Sequence, residues 1–132
     1  YGPRQDPLGE AGVIAIFCGK MRQGENPLIF GDGKQLRDYV YVKDVAEANL
    51  LALTKGDGKM YNVGTGKGTS VNQLFACLKE LLDFKGKAVY ASPRAGELFR
   101  SVLNSQKIKR EFGWQAKTSV KEGLRLTLAW YG

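Results

Sequence analysis

Three times in this sequence an Asp or Ser is followed three residues later by Glu or Gln at the head of an apolar run: Asp44 and Glu47, Ser70 and Gln73, Ser119 and Glu122. This is the spacing of a capping box, in which the first side chain accepts from a backbone N–H one turn on and the second reaches back. It predicts helices opening at these places. Behind Ser70, the residues Val71, Leu74, Phe75, Leu78, Leu81 and Leu82 form one apolar stripe, and behind Ser119 so do Val120, Leu124, Leu128 and Tyr131. Behind Asp44, the residues Val45, Ala46, Ala48, Leu50, Leu51, Ala52 and Leu53 leave the helix apolar nearly all round. Such a helix needs cover on most of its sides. A further helix is expected from Glu10 to about Gln23, carrying Val13, Ile14, Ile16, Phe17 and Met21 and closed by Gly24. A short one is expected from Asn104 or Ser105 to Gly113.

Between the helices lie short β-prone pieces. Pro27 to Phe30 reads as a strand, Gly31-Asp32-Gly33 as a hairpin turn, and Leu36 to Val42 as the returning strand. Met60 to Val63, Lys87 to Ala91 and Phe99 to Leu103 read as extended, while Gly2, Pro3 and Pro7 make the opening a loop. Alternating helices and short strands indicate an α/β or α+β domain. With 132 residues, no repeat and no linker, residues 1–132 form a single unit. Glycine supplies 17 of the residues, against roughly 7% in an average protein, so tight turns are frequent.

The chain has no histidine, which excludes an imidazole base, a Ser-His-Asp triad and a His-based zinc site within it. Twenty basic against thirteen acidic residues give a net charge of +7, which suits an anionic partner. The basic residues are spread out, the densest cluster being Lys107, Lys109 and Arg110, so a small anionic ligand is favoured over nucleic acid. Cys18 and Cys77 lie in apolar helical patterns and read as buried free thiols of a reducing compartment. No apolar run approaches the roughly 18 residues of a membrane span. No signal peptide opens the chain, and a start at Tyr1 rather than Met reads as a fragment, a trimmed product or an engineered piece.

The glycine-rich Gly64-Thr65-Gly66-Lys67-Gly68 invites a phosphate-loop reading but fits neither template: a dinucleotide fingerprint would need glycine where Thr69 stands, and a Walker A loop would need Ser or Thr at Gly68. A strand-to-helix turn is the expected role. A more informative set runs in order along the chain. It comprises Tyr1-Gly2-Pro3-Arg4-Gln5, Gly9-Glu10-Ala11-Gly12, Phe30-Gly31-Asp32-Gly33 and Arg37-Asp38-Tyr39-Val40-Tyr41-Val42-Lys43-Asp44-Val45. Then follow Tyr61-Asn62-Val63-Gly64-Thr65-Gly66, Arg94-Ala95-Gly96-Glu97, Lys109-Arg110-Glu111-Phe112-Gly113-Trp114 and Glu122-Gly123-Leu124. In this order and spacing the set resembles the carboxy-terminal part of extended short-chain dehydrogenase/reductases acting on nucleotide sugars, most of all the bacterial UDP-glucose 4-epimerase type, over essentially the whole chain.

The resemblance implies a substrate-holding lobe that lacks most of the Rossmann domain. Family members carry their NAD loop and a catalytic Tyr-x-x-x-Lys pair in that domain; the one such spacing here, Tyr39 and Lys43, falls within the Arg-Asp-Tyr motif assigned to the substrate lobe. No catalytic residue, bound cofactor or metal is therefore expected in this chain. Tyr39 and Tyr41 are not given the catalytic role, and Ser101, where the family is tyrosine-rich, receives none. By resemblance, Arg37 and Arg94 reach the diphosphate of a UDP-sugar, Glu97 accepts from ribose hydroxyls where relatives often carry Asp, Phe30 lies beside the uracil, and Val71 is the apolar contact at the next helix start. Arg4 could approach the ligand or pair with an acid. Residues 37–63 correspond to the element that would extend the missing Rossmann sheet.

The reading is the UDP-sugar-binding portion of a cytoplasmic NAD-dependent nucleotide-sugar 4-epimerase, inactive alone. Rivals are a fragment of a nucleotide-sugar 4,6-dehydratase or UDP-glucuronate decarboxylase, a standalone binding module, and a basic nucleic-acid-binding protein. Nucleic acid and membrane are not expected partners. The all-round apolar helix and the exposed edge of Met60–Val63 imply a homodimer or higher oligomer that buries residues 44–63.

Overall fold

The computed structural model describes residues 1–6 and 12–131; Pro7 and the Gly9-Glu10-Ala11 part of the helix entry lie outside the described residues. The elements run α1 (Val13–Arg22), β1 (Leu28–Phe30), β2 (Leu36–Arg37), α2 (Val42–Ala52), β3 (Thr69–Ser70), α3 (Val71–Leu81), β4 (Val89–Ala91), β5 (Arg100–Ser101), α4 (Gln106–Phe112) and α5 (Val120–Trp130). The architecture is mixed α/β, as expected. No helix among the described residues is long and apolar enough to cross a membrane.

Helices α1, α3 and α5 converge on one core in which Phe17, Leu74, Leu78 and Leu124 are almost wholly buried, with Ile29 of β1 against it. The stripes legible in the sequence are the faces that meet there. The box at the head of α3 is complete: Ser70 Oγ accepts from Gln73 N at 3.1 Å, and Gln73 Oε1 accepts from Ser70 N at 2.8 Å. At α5 only half forms. Ser119 Oγ accepts from Glu122 N, while the Glu122 carboxylate is engaged by Arg125 at 2.7 and 2.9 Å. Cys18 and Cys77 are free thiols, one buried and one half-buried, and burial pushes the Cys18 thiol up to about 12.

Helix α2 begins earlier than expected, at Val42, with Tyr41 as an N-cap that offers no side-chain bond. Asp44 is instead turned inward and buried. Its carboxylate accepts from Thr118 N at 3.0 Å and Thr118 Oγ1 at 3.2 Å, and Trp114 Nε1 donates to its carbonyl. The expected box at Asp44 is lost because its carboxylate staples α2 to the 114–118 segment. A second small core of Ala48, Ile108, Phe112 and Trp114 lies under this side of α2. The opposite side is bare, with Leu50 67% and Leu53 80% exposed.

The expected hairpin does not form. β1 pairs with β4 in parallel, and β2 pairs antiparallel with β3 and parallel with β5. A type I′ hairpin turn, the form that Asp-Gly favours, needs positive φ at both central residues. Here Gly31 and Gly33 adopt it but Asp32 between them does not. Asn72 takes over the turn, its N–H donating to Gly33 O and its Nδ2 to Asp32 O, which ties the turn to α3. The returning strand is shorter than expected because residues 40–42 bond the chain's first residue: Tyr1 N donates to Val40 O and Val42 N donates to Tyr1 O.

Met60–Val63 is not a strand either. Apart from Met60 O, which accepts from Lys107 Nζ, its backbone has no partner among the described residues. Side chains fix the segment instead: Tyr61 Oη donates to Glu111 Oε2 at 2.6 Å, and Lys59 Nζ donates to the same oxygen at 3.1 Å. These two bonds hold the Glu111 carboxyl down to about 2. Its folded value lies below the ordinary 4.5, so the stability it contributes is fully present above that pH and is lost as pH falls toward about 2. Glu111→Gln is expected to melt below the parent at neutral pH, with the gap closing between about pH 4.5 and 2; a gap independent of pH would contradict this.

Candidate functional site

Strand β1, the end of β2, the start of α3 and residues Arg94 and Glu97 beyond β4 surround a cavity of about 500 Å³, floored by Ile16 and Phe17 of α1. Phe30, Arg37, Val71, Arg94 and Glu97, which span 68 residues of sequence, all line it. The folding that gathers them is local at each point. The β1–β4 ladder continues one residue further through Gly31 N donating to Ala91 O, so Phe30 meets the segment that carries Arg94. That segment turns at Gly96, whose φ of 75° is costly for residues with a Cβ, and Glu97 N donates to Arg94 O across the turn. Arg94 and Glu97 are thereby presented together.

The two guanidinium groups are held differently. Arg37 Nη1 donates to Leu98 O at 2.7 Å and to Leu36 O at 2.9 Å, while Nη2 faces Glu97 Oε1 at 3.3 Å. Its orientation is fixed by the protein before any ligand arrives. The Arg94 guanidinium lies 4.1 Å from the Phe30 ring centroid, and it has no ion pair among the described residues. A stacked guanidinium keeps its edge donors for oxygen acceptors. With Lys20 also lining the cavity and Glu97 the one carboxylate that lines it among the described residues, the wall carries excess positive charge and suits an anion with both polar and flat apolar parts.

Among the lining residues that sequence reasoning missed are Gln35, Tyr39 and Ile16. Gln35 donates from Nε2 to Phe30 O, bracing the β1 end. Tyr39 faces the cavity from the residue second after Arg37, and that alternation in an extended segment was the available signal. Burial pushes its hydroxyl up to about 12, so it stays neutral at ordinary pH and can donate or accept a hydrogen bond but not act as a base. Ile16 contributes apolar floor and carries no sequence signal apart from helical spacing. Arg4 lies elsewhere, 5.4 Å from the Trp130 ring centroid.

The glycine-rich loop is closed to an external anion by an internal one. Asp38, next to Arg37, accepts from Thr65 N at 2.8 Å, Gly66 N at 2.9 Å and Leu103 N at 3.3 Å, with the Thr65 hydroxyl as a fourth donor. A Cβ on Gly64 would stand 2.7 Å from the same carboxylate, which is why glycine is needed there. The Arg-Asp-Tyr motif thus divides its labour, with Arg37 and Tyr39 turned to the cavity and Asp38 turned to the loop. Asp38→Ala would leave these N–H groups unpaired and is expected to cost about 2–3 kcal/mol of stability, read in a chemical melt; an unchanged midpoint would contradict that role.

Residues 1–64 match the profile of the NAD dependent epimerase/dehydratase family. A crystal structure of UDP-glucose 4-epimerase from Thermotoga maritima, solved with UDP-glucose, superposes with a TM-score of 0.97 at 54% identity, over 99% of this chain and 42% of that one. UDP-glucose 4-epimerase of Mycolicibacterium smegmatis is 40% identical over 99% of this chain and 42% of its own length. dTDP-D-glucose 4,6-dehydratase of Mus musculus is 35% identical over 99% of this chain and 38% of its own length. The chain spans about two-fifths of the length of these relatives. In sequence and in fold it is the counterpart of the carboxy-terminal part of an NAD-dependent epimerase/dehydratase of the extended short-chain dehydrogenase/reductase superfamily.

Proposed function

We propose that this chain is the UDP-sugar-binding portion of a cytoplasmic nucleotide-sugar 4-epimerase. Arg37 and Arg94 hold the diphosphate, Glu97 accepts from ribose hydroxyls, and Phe30 and Val71 flank the uracil. The observation that carries the reading is the convergence of these five residues on one cavity with an unpaired, stacked arginine at its wall. Tyr39 adds a neutral hydroxyl beside them. A 4,6-dehydratase is the second reading, supported by the identity to the mouse enzyme. A standalone binding module is the third, and it would bind UDP equally well without any partner domain.

The residues present do not fit NAD. In the chain's glycine-rich loop the amides of Thr65 and Gly66 are committed to Asp38, and Lys43, four residues after Tyr39, is exposed on α2 and does not line the cavity that Tyr39 faces. The chain's own residues bind and orient substrate; hydride and proton transfer belong to the remainder of a whole enzyme. The bare face of α2 and the unpartnered backbone of Tyr61–Val63 support a homodimer or higher oligomer.

Calorimetry tests the reading. UDP is expected to bind with a dissociation constant of roughly 0.1 mM or weaker, because half a cleft loses part of its contacts, and NAD is expected to give no saturable heat. Protein free of host epimerase should not convert UDP-glucose to UDP-galactose. NAD binding in the absence of UDP binding would overturn the proposal, and turnover would overturn the division of labour.

A further inference from the structure

A second hollow, of about 620 Å³, lies on the other face of the β3-β2-β5 sheet. Register places it there. Leu36 pairs with Arg100 and Arg37 with Ser101, so Arg100 shares the face of Leu36 while Arg37 stands on the opposite one. The two cavities have no lining residue in common.

Lys67, Arg100 and Lys109 line this hollow, and among the described residues no carboxylate does. Elsewhere in the chain, Lys20, Lys59, Lys117, Lys121 and Arg125 each have an acid partner. Lys67, Arg100 and Lys109 have no ion pair or side-chain hydrogen bond among the described residues. They approach from three separate segments: the glycine-rich loop, β5 and α4. Asp38 is bound to the loop with its oxygens committed to backbone donors, so it offsets part of the charge without pairing any of the three. The amide side chains of Asn104, Gln106 and Gln115 add neutral donors to the rim. Three like charges around one concave surface repel each other until a counter-charge enters, and concavity concentrates their field.

We propose that this hollow is a binding site for a small molecule bearing a di- or triphosphate group. Several closely spaced anionic oxygens can meet three cations at once, which a monoanion cannot, and guanidinium and ammonium groups are the donors that phosphate takes. The site is independent of the UDP reading of the first cavity and stands whether or not that reading holds.

Titration of the chain with sodium tripolyphosphate, in parent and variants, tests it. Binding is expected to persist in Arg94→Ala and to weaken at least tenfold in Lys67→Glu/Lys109→Glu and measurably in the milder Lys67→Gln/Lys109→Gln, with melting temperatures close to the parent. Affinity should fall steeply with added salt. Three results would overturn the proposal: no binding, binding that is lost in Arg94→Ala but retained in both lysine pairs, or an oligonucleotide binding at these lysines while tripolyphosphate does not compete.

Discussion

Arg94→Ala is expected to weaken UDP binding by roughly 10- to 100-fold, since a charge-assisted contact to phosphate contributes about 1.5–3 kcal/mol. The fold should tolerate the change. Arg94 is exposed, and its visible contact is the stack on Phe30, which the ring survives by remaining packed in β1. Arg37→Ala should also weaken UDP, but with a cost to stability, because its guanidinium bonds two carbonyls and Glu97. Arg94→Lys should recover only part of the affinity, because an ammonium cannot present two parallel donors or stack as a plane. Calorimetry of the three variants checks the order. Equal UDP affinity in parent and Arg94→Ala would remove Arg94 from the site.

The second large effect concerns assembly. Leu50 and Leu53 project from α2 with most of their surface bare, Met60 is 90% exposed, and the backbone from Tyr61 to Val63 has no hydrogen-bond partner among the described residues. Apolar side chains next to an open edge invite both kinds of association, side chain against side chain and strand against strand. The parent is expected to scatter light as a dimer or larger at micromolar concentration, and Leu50→Glu/Leu53→Glu to scatter as a 14.5 kDa monomer with little change in melting temperature. Neither residue belongs to a buried core. A parent that already runs as a monomer would contradict the proposal.

What was legible in the sequence follows from range. The box at Ser70 and Gln73 and the stop at Gly113, with φ of 73°, are decided within one turn of chain, and they stand as read. The hairpin after Phe30 failed because strand partners are chosen at a distance: β4 and β5, over fifty residues away, take the edges that the turn would have joined. Asp44 failed for the same reason, drawn from its own helix by Thr118, 74 residues on. The gathering of Arg37, Arg94 and Glu97 was readable only because their motifs resemble a family. Nothing in spacing alone would bring residues 37 and 97 within 3.3 Å. The part played by Asp38 was hidden between two neighbours that face the other way.

Amide chemical-shift mapping on addition of UDP tests the central claim most directly. The account predicts saturable shifts at Phe30, Arg37, Tyr39, Val71 and the Arg94–Glu97 turn, with little change at Lys67, Lys109 and Trp114. Shifts confined to the Lys67 and Lys109 side of the sheet, or no saturable shifts at all, would contradict it.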